Sequence, residues 1–311
     1  MPDIKQDSLF PAYENLRNGN IEEAEDLLDA ALMSNLDNNE IKFALSCLSF
    51  WKDKINTVVR FSSPSDKSEW IFRAWLNFVE WSKTLPGRNE DCIDAARYFV
   101  FNRALEFCSK ALEEHQGATD IEIYRKTGLC YKNLGDYDNA LRFLDYAFTR
   151  DSSSAKLVAD LADCYALTGD MQKAKVLFRE AFFIGASEIE LDFLSSEIIT
   201  RLISETEKMG YKGEELALWI PVYGVIYGIF NVKRELRAVE LGKLKQACYA
   251  METQLCKADE TEKKYLVPRL LNHYFWLIDH YINTDDDRTK INEILLKIKI
   301  IDPDVYSKYD T

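Results

Sequence analysis

The sequence predicts an all-α protein built as a solenoid, a right-handed superhelix of antiparallel helix pairs closed by an atypical helical cap. Three observations lead there. Two segments, 121–154 and 155–188, align without gaps at a spacing of 34 residues. Apolar residues recur with helical rather than strand period along most of the chain. Only 12 Gly and 7 Pro occur, most of them between periodic stretches, which disfavours a fold of short strands and turns.

The repeat carries most of the argument. Tyr124 aligns with Val158, Thr127 with Leu161, Gly128 with Ala162, Cys130 with Cys164 and Tyr131 with Tyr165. The match continues through Gly135 and Gly169, Asp136 and Asp170, Ala140 and Ala174, Leu144 and Phe178, and Ala147 and Ala181. Each pair has a physical role. Gly128 and Ala162 let the second helix approach the first. Gly135 and Gly169 can take the left-handed conformation that ends a helix. Asp136 and Asp170 can cap the next one. The alanines keep the second helix thin where helices cross. This pattern resembles the tetratricopeptide (TPR) repeat, whose unit is a 34-residue helix–turn–helix. Thr127 stands where that family usually has Leu, and Ser152 and Ala186 where it often has Pro.

A third copy is expected at the N-terminus. Gly19-Asn20-Ile21, Ala24, Leu28 and Ala31 repeat the spacing of Gly135-Asp136-Tyr137, Ala140, Leu144 and Ala147. Its first helix, near 7–17, is short and holds Pro11. Gly19 and Gly135 are not separated by a multiple of 34, so the register lapses between them. There, 39–51 and 53–61 are expected as a degenerate pair, and Pro64-Ser65 as a break. Residues 67–84 are expected as an aromatic helix with Trp70, Ala74, Phe78 and Trp81 on one side and Trp75 beside it. Residues 90–114 read as a long helix. The aromatic stripe reads as packing ahead of a ligand cage. Beyond 188, helices are expected at 188–208, 234–256, 261–283 and 288–299. The expected organisation is degenerate pairs over 1–120, two well-formed units over 121–188, and a capping region over 189–311, since the end units of a solenoid must close its core.

Composition excludes some functions. The formal net charge is -13, unsuited to phosphate binding, so no nucleic-acid partner is expected. Acid is concentrated at the start, where residues 1–40 hold ten acidic groups against two basic ones. Such a face can steer a basic partner, or serve only as a solvated helix face. The seven cysteines are odd in number and lack CxxC spacing, which fits a reducing compartment. The first residues, Met1 to Asp7, lack the pattern of a signal peptide, so a cytoplasmic location is expected, with a periplasmic or membrane-associated one as the alternative.

Catalytic and metal motifs are missing from the sequence, and neither cofactor nor metal is expected. His273 and His280 lie about 10.5 Å apart along a helix axis, too far to share one ion. Asp285-Asp286-Asp287 lacks the rest of a calcium loop and reads as a plain loop. Phosphate-binding and nucleophile-elbow patterns do not occur. The rival to a binding protein is an enzyme or regulatory subunit with a site around His273, His280 and Tyr281.

The expected binding face follows from helical period. The first helix of each pair lines the inner surface of a TPR superhelix. The candidates are Glu122, Arg125, Leu129, Lys132 and Asn133 in one unit, and Lys156, Ala159, Asp163, Ala166 and Leu167 in the next. TPR domains that clamp a chaperone's C-terminal carboxylate use Lys, Asn and Arg on this face. Arg125 and Lys156 match two such contacts. Leu129 and Asp163 replace the usual Asn, and Asp163 would repel a carboxylate, which argues against such a clamp.

The most unusual segment is 216–232, seventeen residues without a charge. It reads as core, as an aromatic docking surface, or as a membrane contact. Seventeen is the lower limit for a spanning helix and Pro221 argues against an unbroken one, so no transmembrane span is expected. Packing against 188–208 and 234–256 is expected, with Trp219, Tyr223 and Tyr227 as partner-binding candidates. This block and the Lys233-Arg234-Glu235-Leu236-Arg237 that follows are similar to the C-terminal region of some spirochaete TPR proteins. That resemblance implies a bacterial scaffold in a flagellar-motor or envelope complex. Across the whole sequence, the function expected is an adaptor that presents a concave helical surface to a protein or peptide, with an oligomer or multiprotein complex left open.

Overall fold

The computed structural model describes residues 9–114, 120–231, 235–284 and 288–309. The Met1–Asp7 start, Val232 to Arg234 and Asp285–Asp287 lie outside them. The protein is all-α, a TPR-like helical repeat, with 15 helices and no strand among the described residues. It forms two compact units, residues 1–150 and 151–311. Each unit holds one of the two 34-residue copies as a helix pair.

The first unit contains α1 (Phe10–Arg17), α2 (Ile21–Ser34), α3 (Asn39–Val58), α4 (Pro64–Ser82), α5 (Glu90–Glu114), α6 (Ile121–Leu134) and α7 (Tyr137–Phe148). The pairs α1–α2 and α6–α7 close through the same turn. Gly19 and Gly135 both have φ of 84°, where a Cβ would be strained. In one, the Asn20 N–H donates to the Asn15 carbonyl at 2.9 Å; in the other, Asp136 N–H donates to Tyr131 at 2.9 Å. This bond, skipping back over the glycine, closes a Schellman motif. Asp136 then caps α7 by accepting from the Asn139 N–H. A Cβ on Gly128 would stand 2.7 Å from the Leu144 side chain, so the close approach in this pair needs glycine.

Between these pairs, α5 packs on α1, α3, α4 and α6. Residues 39–58 form one helix rather than the expected pair, because Lys52-Asp53-Lys54 contains nothing that ends a helix. Asn38 starts it by accepting from two N–H groups. Pro64 opens α4, a position where its missing N–H costs nothing, so the expected break is a helix start. Trp75 is buried while Trp70 and Trp81 are half-buried, so the buried face of α4 is rotated from the expected stripe. Trp75 packs edge-on to Phe101 at 5.2 Å, and Trp51 stacks with it at 6.2 Å.

The second unit contains α8 (Ala155–Leu167), α9 (Met171–Gly185), two short 3-10 turns (Ala186–Glu188 and Leu191–Phe193), α10 (Glu197–Lys208), α11 (Gly213–Ile226), α12 (Ala238–Leu255), α13 (Glu260–Asn283), α14 (Arg288–Ile301) and α15 (Pro303–Tyr309). The α8–α9 turn repeats the geometry of the first unit. Gly169 has φ of 90°, and Asp170 N–H reaches the Tyr165 carbonyl at 2.9 Å. Asp170 caps α9 through the Lys173 N–H. Residues 188–208 are not one helix: α10 begins only at Glu197. The apolar segment forms α11, which continues through Pro221 although proline has no N–H for the Ala217 carbonyl. It packs on α10 and α13 rather than on α12. No described helix is long and apolar enough to cross a membrane.

Candidate partner-binding surface

The face expected to line a groove is largely used up by internal contacts. Leu129 and Asp163 are fully buried, and Arg125 and Lys132 are nearly so. Arg125 pairs with Glu122 at 3.0 Å. The Asn133 amide donates to the Leu129 carbonyl at 2.9 Å, and the Asn133 carbonyl accepts from Arg97. Lys156 is half-buried. Counting by helical period places a residue relative to one neighbouring helix, but α6 packs on both α5 and α7. This second neighbour covers positions that the sequence leaves open.

Asp163 has a structural task that its spacing did not reveal. Its carboxylate accepts from the Ser195 N–H at 3.0 Å and the Ser196 N–H at 2.8 Å. These bonds hold the segment that leads into α10. The burial of a carboxylate is tolerated because charge-assisted hydrogen bonds satisfy it.

The apolar segment divides more sharply. Trp219 and Tyr223 are 6% and 4% exposed, so both are core. Tyr211 stacks on Trp219 at 4.7 Å. Burial, and then a hydrogen bond with Tyr211, push the Tyr223 phenol well above its ordinary pKa. Tyr227 is different: it is 44% exposed, one turn beyond Tyr223. The chain turns back after it, and Phe230 folds onto Gly224, where a Cβ would stand 2.2 Å from the Phe230 ring.

Tyr227 lies at the edge of a groove of about 730 Å³ between α9, α10 and the end of α11. Met171, Ile198, Leu202 and Ile229 give it an apolar lining. Lys175 and Arg201 add positive charge, and Glu197 and Glu205 negative charge. An exposed aromatic beside aliphatic side chains, rimmed by both signs of charge, suits a protein segment better than a small charged ligand.

Both C-terminal histidines make internal contacts. His280 is buried and its Nδ1 accepts from the Leu236 N–H at 3.2 Å. His273 Nδ1 donates to the Arg269 carbonyl at 2.8 Å, and its ring packs 5.2 Å from Phe183. Burial lowers the His273 pKa. No cluster of three His, Cys, Asp or Glu side chains able to hold a metal occurs among the described residues.

Residues 134–186 match the family model of the tetratricopeptide repeat, a span that takes in the α7 and α8–α9 turns described above. A search of curated proteins finds no match to the chain.

Proposed function

We propose that this chain, a tetratricopeptide-repeat protein, is a non-catalytic adaptor that holds a segment of another protein in the groove beside Tyr227. Tetratricopeptide repeats generally mediate protein–protein interaction. The observation that carries the reading is the exposure of Tyr227, just past the end of α11, against the burial of Trp219 and Tyr223 within that helix. A side chain that served only the core would be buried with them. Tyr227 instead meets an apolar groove on the second helix of a repeat unit. Aromatic anchors of this kind concentrate binding energy.

The occupant expected is a peptide with an apolar anchor flanked by charge, set between the cations Lys175 and Arg201 and the carboxylates Glu197 and Glu205. Of the other candidates, Lys156 retains exposed surface, whereas Arg125, Leu129, Lys132 and Asp163 support the fold beneath. The test is affinity capture from the native source with the full chain and with Tyr227→Ala and Arg201→Glu variants, quantified by mass spectrometry. Partners held by the unaltered chain should be depleted with both variants while helicity stays unchanged. An identical set at identical levels would overturn the reading.

A further inference from the structure

The groove beside Tyr227 is walled by α9 and α10, which both pack on α11. Four charged side chains line it, and they differ in what they already do. Glu197 is the first residue of α10, where the helix dipole favours a carboxylate. Glu205 is held by Lys208 at 2.7 Å, and that hydrogen bond lowers its carboxyl pKa. Both carboxylates therefore have a role inside the fold. Lys175 and Arg201 do not. Neither stands in the last turn of its helix, where the dipole favours a cation. Neither side chain has an ion pair or hydrogen bond among the described residues. Arg201 acts on Glu205 only from beyond ion-pair distance.

The two cations come from different walls, Lys175 from α9 and Arg201 from α10. Tyr227 adds a third donor, since its hydroxyl has no hydrogen-bond partner among the described residues. The polar side chains of the groove that lack a task in the fold are thus all donors, set beside the aliphatic Met171 and Ile198. In a chain of formal net charge -13, acidic partners are not drawn in at long range. The two cations therefore select by contact rather than by steering.

We propose that the groove takes an acidic segment of a partner protein, with an Asp or Glu carboxylate between Lys175 and Arg201 and a neighbouring apolar side chain against Met171 and Ile198. A carboxylate accepts several hydrogen bonds, and ammonium, guanidinium and phenol groups can each supply one. A volume of about 730 Å³ holds several side chains, more than one carboxylate fills. A basic segment would set like charges against both cations, which is unfavourable. The proposal rests on the adaptor reading of this groove and adds the sign of charge that the partner must carry.

The test selects a random dodecapeptide library on the immobilised full chain and on the double variant K175E/R201E. The variant K243E/K257E makes the same charge change at exposed positions elsewhere and serves as the control. The unaltered chain and the control should enrich peptides with Asp or Glu next to an apolar residue. K175E/R201E should instead enrich Lys or Arg at that place, a reversal that a merely unfolded variant would not give. By calorimetry, the best acidic peptide should bind K175E/R201E about tenfold more weakly or worse, as expected for charged hydrogen bonds. The absence of acid enrichment on the unaltered chain would overturn the proposal, as would the same enrichment on K175E/R201E. Binding of laurate that K175E/R201E abolishes, without acidic peptides recovered, would assign the groove to a free amphiphile and overturn it too. If the acidic preference fails while Tyr227→Ala still loses captured partners, the charge assignment is wrong and the adaptor reading stands.

Discussion

Arg179 and Asp279, one hundred residues apart in sequence, form a buried ion pair that ties α9 to α13. The same guanidinium donates to the Phe230 carbonyl at 2.7 Å and lies 4.8 Å from the centre of the Trp276 ring. One side chain thus joins the second helix of a repeat to the turn after α11 and to the helix behind it. A buried pair of this kind is easier to break than to replace. Removing one partner leaves a charge without compensation, whereas apolar residues of similar volume can substitute for both.

Asp279→Ala should therefore destabilise the protein by about 3–5 kcal/mol in chemical denaturation. The double variant Arg179→Met/Asp279→Leu should lose much less than the single one. If the single variant loses no stability, the pair does not hold these helices together.

The alanines at the helix crossings give a second prediction. Ala140 and Ala174 are fully buried at matching places in the two copies. Replacing either with Leu should overpack the crossing and cost ~1–3 kcal/mol. Ala238, exposed at the start of α12, serves as the control and should tolerate Leu with little change. Equal thermal midpoints for all three variants would contradict the packing described.

A third prediction concerns acid. Glu252 accepts from Tyr274 at 2.7 Å and from Lys297 at 2.8 Å. Burial raises its carboxyl pKa, but these two hydrogen bonds outweigh burial and hold it below the ordinary value. A carboxylate with a depressed folded pKa stabilises the protein above its unfolded pKa, about 4.3 for Glu. That contribution is lost as pH falls through the folded value. Glu252→Gln should lower stability at neutral pH and flatten its decline over the acidic range. A decline of unchanged steepness would exclude Glu252 as one of the groups responsible.

The repeat was legible because its determinants are local. A left-handed glycine, an Asp two residues after the last turn, and small residues at fixed offsets each act within a few positions of the chain. Gly19, Gly135 and Gly169 accordingly form the same turn, even though the register lapses between the first and second. The helix over 90–114 was readable for a similar reason, since periodic apolar residues run unbroken after Pro86-Gly87. The reading failed where a local signal had two meanings. Pro64 can break a helix or start one. Lys52-Asp53-Lys54 separates two apolar stretches in sequence but not in the helix.

The binding residues were less legible, because exposure belongs to no single helix. The sequence by itself determined the repeat pairs and their turns, set by short-range backbone and side-chain preferences. Only the tertiary structure decided that Asp163 would hold Ser195 and Ser196, that Arg179 would meet Asp279, and that Trp219 and Tyr223 would be buried while Tyr227 stayed exposed. Those outcomes depend on which distant helices arrive to cover a surface. A carboxylate or an aromatic ring reads the same in the sequence whether a partner helix covers it or not.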